Sequence, residues 1–121
     1  MAAITESRHP GEFLLSEADG TLSREVVTIS NSIAIKAGQV LGKVTADGKY
    51  NFYDNADTIP GTGVAAAVAL YPLSATETNR KITVIFRAAE VISAGLEWNG
   101  AATNDINAGI ADLATKNIIV R

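Results

Sequence analysis

The run Ile82-Thr83-Val84-Ile85-Phe86-Arg87 alternates strictly, with Ile82, Val84 and Phe86 on one face. A period of two is the signature of a half-buried strand rather than a helix. A strand leaves its backbone donors and acceptors unpaired until neighbours are found, so this run commits the chain to building a sheet. Partners are easy to read. Val26 to Ile29 is rich in β-branched residues, and Ile33 and Ile35 restart the alternation after Asn31-Ser32. Val40 to Thr45 and Tyr50 to Tyr53 flank Asp47-Gly48, a two-residue hairpin signal. Val64 to Tyr71 reads as a strand of small residues for a place where two layers approach closely, ended by Pro72. Glu90-Val91-Ile92 extends or follows the alternating run, Leu96-Glu97-Trp98 leads into an Asn99-Gly100 turn, and Ile118 to Val120 is a last buried strand.

One helix interrupts this pattern. Thr103 to Lys116 places Ile106, Ile110 and Leu113 on one stripe, with Thr103 or Asn104 as the cap and Asn117 suited to the left-handed stop. Gly109 weakens this helix by roughly 1 kcal/mol relative to Ala, so packing must hold it. The expected fold is mainly β with one short helical part.

The chain has 121 residues, the length of one domain. Its hydrophobic fraction is 47%, but 20 of those residues are Ala, so the core is built from small side chains. The net charge of −3 argues against a nucleic-acid binder, which needs a basic stripe to displace phosphate counterions. With no Cys there are no disulfides, Cys-held metals or thiol chemistry. The longest apolar run, Val64 to Tyr71, is far short of the roughly 20 residues that cross a bilayer, and the N-terminus has no basic start or apolar export core. A protein made in a cytoplasm is expected.

Residues 1–25 differ from the rest. Glu6, Glu12, Glu17, Asp19 and Glu25 against Arg8 and Arg24 sum to −3, whereas residues 26–121 carry eight charges of each sign. With Pro10-Gly11, Asp19-Gly20 and one apolar cluster, Phe13-Leu14-Leu15, this segment reads as an extended arm with a short anchor. The plain alternative is an unattached terminus. Residues 26–121 form the compact domain.

Chemistry is sparse. His9 is the only His and would have to serve a catalytic triad from the arm. Gly61-Thr62-Gly63 lacks the Lys and Ser/Thr of a phosphate loop. Asp54, Asn55 and Asp57 lack the Gly and Glu of a calcium loop. Glu90 and Glu97 act as a carboxylate pair only if the fold joins them. Lys49 beside the hairpin suggests a lipoyl-type carrier, and Tyr50, Tyr53 and Trp98 a carbohydrate or small-ligand platform. No catalytic residue, cofactor or metal is expected. Trp98 belongs either to the core or to a contact between copies.

Arg8-His9-Pro10-Gly11-Glu12-Phe13-Leu14-Leu15-Ser16-Glu17-Ala18 is an unusual string. Lys36 to Thr45, Ile82 to Arg87 with Ala89-Glu90-Val91, Leu96-Glu97-Trp98, and Ile118 to Arg121 follow it. Together they resemble the head decoration protein family of tailed phages, the group that includes the lambda head protein D, over nearly the whole chain. Asn99 departs from the Pro that members often place after the Trp. The resemblance implies a β-clip or tulip-like incomplete barrel with a flexible N-terminal arm. It implies a structural virion protein, not an enzyme, that stabilises the expanded capsid as a homotrimer on its outer surface at three-fold sites. It also implies that the arm (Arg8, His9, Pro10, Gly11, Glu12, Phe13, Leu14 and Leu15) pairs with the major capsid protein. An acidic arm suits basic contacts on such a shell, with Glu12 and Glu17 as the contacts to reverse.

Overall fold

A computed structural model describes residues 10–30, 32–76 and 80–121. Its strands are β1 (Leu14–Glu17), β2 (Arg24–Thr28), β3 (Val40–Lys43), β4 (Tyr50–Phe52), β5 (Ala67–Ala69), β6 (Lys81–Ile85), β7 (Ala89–Val91) and β8 (Ile118–Val120). A 3₁₀ turn at Ser93–Gly95 and helix α1 (Thr103–Ala114) lie between β7 and β8. Five strands form one sheet in the order β2-β6-β5-β3-β4, all antiparallel, and three form another in the order β1-β7-β8, with β7 and β8 parallel. The five-stranded sheet curls until Ile29 meets Tyr50 across its two outer strands, which leaves an incomplete barrel rather than a closed one. The fold is therefore mainly β with one short helix.

The alternating run becomes β6, a central strand. Ile82 and Val84 face a cluster with Ile29, Ile35, Leu41, Tyr50 and Ala69, and Phe86 packs at its margin. Ile85 points the other way, into a second cluster with Phe13, Val40, Val68, Val91, Leu113 and Ile118. Both faces are dry because the second sheet and α1 cover the outer one. Ala88, in a left-handed conformation (φ 51), carries the chain from β6 in one sheet to β7 in the other.

Several boundaries move from their sequence expectations. The strand expected at Val64 to Tyr71 shrinks to Ala67–Ala69, because the groups at its ends go elsewhere. The Ala65 amide donates to the Asp112 carboxylate (3.0 Å), and the Leu70 carbonyl accepts from Gly11 (2.8 Å). The Asp47-Gly48 reversal is wider than a two-residue turn. Val44 donates to the Lys49 carbonyl at 2.8 Å, so residues 45–48 form the loop, and only Gly48 takes a positive φ. The cap expected from Thr103 or Asn104 is absent: Ala102 holds the N-cap position and no side chain caps the helix. Asn117 does take the left-handed stop (φ 59). Asn99 and Gly100 also take positive φ, closing this turn to proline.

Within the segment read as an arm, β1 is paired with β7, and β2, which starts at Arg24, is paired with β6. Phe13 is 1% exposed. Removing its ring by Phe13→Ala is expected to lower stability by about 3–5 kcal/mol. Denaturant unfolding of this variant checks it.

Candidate functional site

The segment expected to form the arm enters the body through Pro10–Glu17. Arg8 and His9 lie outside the described residues. Pro10 and Glu12 are exposed, and Gly11 is half-buried with φ 71, donating to Leu70. Its carbonyl accepts from the Leu14 amide at 3.0 Å, which closes a turn around Phe13. Phe13 then drops into a slot made by two glycines. A Cβ on Gly95 would stand 2.8 Å from the Phe13 Cβ, and a Cβ on Gly38 would stand 2.3 Å from the Gly95 carbonyl oxygen. Gly95 has no room for a side chain while Phe13 is seated, and Gly38 has none against the Gly95 backbone.

The three expected anchor residues therefore have different fates. Phe13 belongs to the protein's own core, and Leu14 packs against that core. Only Leu15, 51% exposed, is left facing outward. The register of β1 slips between Leu14 and Ser16, and this irregularity turns Leu15 away from the covered face.

Polar contacts hold the same segment. Ser16 Oγ donates to Glu90 Oε2 (2.7 Å), and Arg121 donates to Glu90 Oε1 from Nη2 (2.7 Å) and Nε (3.0 Å). Glu17, read as a contact for a partner, pairs with Arg24 at 2.9 Å, and Glu25 pairs with Arg87 at 2.9 Å. Buried Ser23 accepts from the Ala18 amide (2.9 Å) and donates to the Ala88 carbonyl (2.7 Å), fixing the turn between β1 and β2.

The hydroxyl of Ser16, then the guanidinium of Arg121 through its hydrogen bonds and charge, hold the Glu90 carboxyl below the usual glutamate range. A lowered carboxyl contributes its stabilisation fully above its unfolded value and loses it as pH falls through the lowered one. Amide protection over Leu14–Glu17, taken relative to the intrinsic exchange rate at each pH, is expected to fall on acidification below the ordinary glutamate range, and Glu90→Gln is expected to flatten that response. Exchange measured by NMR across acidic pH checks it.

Trp98 is half-buried and packs against the core cluster. Its ring meets Tyr53 edge to face, with centroids 5.8 Å apart at 75°. The helix comes this close because position 109 is Gly: an added Cβ would lie 2.5 Å from Trp98 Cζ3 and 3.0 Å from Tyr53 Cε2. The Tyr53 hydroxyl donates to the Asp105 carbonyl (2.7 Å), and Asn55 Nδ2 donates to Asp105 Oδ1 (3.0 Å). Burial pushes the Tyr53 phenol up, with Asp112, Asp105 and Asp54 adding to it. Gly109→Ala is expected to lose about 1–2 kcal/mol despite the better helix propensity, because the ring must leave its place. A shift of Trp98 emission together with the unfolding midpoint checks it.

Other candidates are not assembled. Tyr50 is buried in the other cluster from Tyr53, so Tyr50, Tyr53 and Trp98 are not one platform. Lys49 sits on the return side of the hairpin, half-buried and in register with Val44, rather than at its tip. Asp57 Oδ1 accepts from the amides of Gly61 (2.9 Å) and Gly63 (2.8 Å), and Asp54 Oδ1 from Ala56 (3.1 Å), so these carboxylates organise their own loop. Among the described residues, no group of three or more His, Cys, Asp or Glu is placed to hold a metal ion.

The strand expected at Val26 to Ile29 is β2, and what sequence reasoning missed is its place at the outer edge of the five-stranded sheet. Its neighbour on one side is β6, and among the described residues no strand pairs with its other edge ahead of the Ile29–Tyr50 bridge. Val26 is 63% exposed and Leu22 60%. The exposed Val in a β-branched run is the only signal for it in the sequence.

Compared with known families, residues 3–118 match the model described as bacteriophage lambda head decoration protein D. No curated protein matches the chain.

Proposed function

We propose, from the premise that the chain belongs to the bacteriophage lambda head decoration protein D family, that it adds as trimers at three-fold sites of the expanded head and clamps neighbouring capsomers. The family decorates phage heads and is structural rather than enzymatic, which places its members on the virion capsid. In this reading the chain ahead of Phe13, with Arg8, His9, Pro10, Gly11 and Glu12, is the arm that pairs with strands of the major capsid protein. The partners are that protein and further copies of the chain, without nucleic acid or membrane, and synthesis is in the host cytoplasm.

The match over residues 3–118 carries this reading. The root of the arm supports its mechanical part. Phe13 is locked in its glycine slot and Gly11 is bonded to Leu70, so a pull on the arm passes into the core and not into a hinge. Backbone pairing of an arm with a sheet edge supplies hydrogen bonds, and its side chains set the register. Repetition over the many equivalent sites of a shell multiplies modest single contacts. Leu15, outside the core, extends the apolar contact next to the arm. Trp98 enters a trimer contact only through the part of its ring that Tyr53 and Gly109 do not cover.

Co-sedimentation with expanded, undecorated heads tests the reading, with the full chain set against a version lacking residues 1–9. The cut must fall before Gly11, because a longer one removes the Gly11–Leu70 bond and then Phe13. Saturation at one trimer per three-fold site by the full chain, and loss of binding by the shortened one, is the expected result. Binding that survives the cut discards the arm mechanism. Absence of binding by the full chain to expanded heads discards decoration.

A further inference from the structure

A groove of about 540 Å³ opens between the end of β4, the loop around Ile59 and the start of α1. Small-molecule sites span roughly 300–1,000 Å³. Trp98 lines it and is half-buried. Tyr53 meets the indole edge to face, and Gly109 lets the helix press against it. The part of the ring left uncovered belongs to the groove. The chain then turns away through a bond from the Ala101 amide to the Trp98 carbonyl (3.1 Å). Gly100, Ala101 and Ala102 set no bulky side chain beside the ring. Phe52, also half-buried, adds a second aromatic surface.

Two polar side chains of the groove are tied to the fold by one atom and open at the other. Asn51 Oδ1 accepts from the Phe52 amide (2.7 Å), which leaves Nδ2 without a partner among the described residues. Asp105 Oδ1 accepts from Asn55 Nδ2 (3.0 Å), which leaves Oδ2 likewise. An amide donor and a carboxylate acceptor are thereby held in place beside an aromatic face. A ligand that uses them has little ordering cost to meet. The charged residues of the groove are Asp54 and Asp105, and among the described residues that line it there is no Lys, Arg or His.

We propose that this groove binds a neutral pyranose sugar, its C–H face on Trp98, one hydroxyl donating to Asp105 Oδ2 and another accepting from Asn51 Nδ2. The site goes beyond decoration of the head and does not rest on it. A pyranose is apolar across one face of its ring, where C–H bonds project, and the negative face of an indole attracts them. Around its edge it carries hydroxyls, each both donor and acceptor. An aromatic face flanked by an amide and a carboxylate matches both parts. Charge narrows the class. Two carboxylates with no cation beside them repel uronic acids, sialic acids and nucleotides. A quaternary ammonium is the other ligand that such charge admits, but it is held by a cage of ring faces. Tyr53 is spent on packing Trp98, and its hydroxyl is turned to the Asp105 carbonyl (2.7 Å), so it closes no cage. Tyr50, buried in the other cluster, takes no part.

Trp98 is the only Trp, so its emission reports on the groove directly. The full chain is titrated with methyl β-glucopyranoside, methyl β-galactopyranoside and N-acetylglucosamine. A saturable change is expected for at least one, with a Kd on the order of 1 mM, the yield of an ordinary ligand of about a dozen non-hydrogen atoms. Glucuronate is expected to give none. In NMR spectra the amides that shift are expected to lie within Asn51–Asn55 and Trp98–Asp105. Asp105→Asn keeps Oδ1 for Asn55 and exchanges the free acceptor for a donor, and Asn51→Ala removes the free donor. Each is expected to weaken binding about tenfold, with thermal unfolding showing that the fold is intact. Absence of a saturable response to all three sugars overturns the proposal, as do shifted amides elsewhere or folded variants that bind like wild type. Glucuronate that binds as tightly overturns the neutral class. A response to choline and not to sugars assigns the groove to a cation and overturns the proposal. Emission that changes on dilution of the protein and not with sugar shows that a second copy covers the groove, and overturns it as well.

Discussion

The whole structure is laid on the wall formed by β5 and β6. Ala67, Val68 and Ala69 in one strand and Ile82, Val84 and Ile85 in the other are completely buried. Val68 and Ile85 face the cluster shared with the second sheet and α1, while Ala67, Ala69, Ile82 and Val84 face the interior of the curled sheet. A sheet wet on one side needs only one cover. A sheet dry on both sides must be covered twice, and the rest of the chain supplies the two covers. The alanines of β5 let these covers come close, which is why a chain rich in Ala can bury a dense core with few aromatics.

The same constraint explains the N-terminal segment. The outer cover is incomplete without Phe13, which fills the space beside Val91, Leu96 and Ile118. Gly38 and Gly95 keep that space open. The segment that a capsid-binding reading would leave free is in this way partly a structural element. Its acidic residues follow suit: Glu17 and Glu25 are matched by Arg24 and Arg87 on the same body. The segment is thus anchored at Phe13 and held again at Gly11, whose amide donates to the Leu70 carbonyl.

Much of the architecture was legible in local pattern. The run from Ile82 to Phe86 could be only a strand, and the stripe of Ile106, Ile110 and Leu113 with a left-handed stop at Asn117 could be only a helix. Ends were harder to read, because the competing partner was distant in sequence. Asp112 takes the Ala65 amide and Gly11 takes the Leu70 carbonyl, and no pattern within residues 64–71 shows either. The expected helix cap is absent because the helix begins at Thr103 itself, which leaves Ala102 in the cap position.

Local physics acting over a few residues is contained in the sequence alone: strand and helix periods, turn chemistry, the charge asymmetry of residues 1–25, and the string from Arg8 to Ala18 that identifies the family. Gly109 could be read only as a defect of the helix until the fold set Trp98 and Tyr53 against it. Phe13 could be read only as an exposed anchor until Gly38 and Gly95 met around it. The place of β2 at the edge of its sheet, with β6 its one strand neighbour among the described residues, follows from pairing across the chain and not from its own sequence. These are properties of pairs of residues far apart in the chain. Tertiary structure decides them, because burial and hydrogen-bond satisfaction are settled by what covers a residue and not by what flanks it.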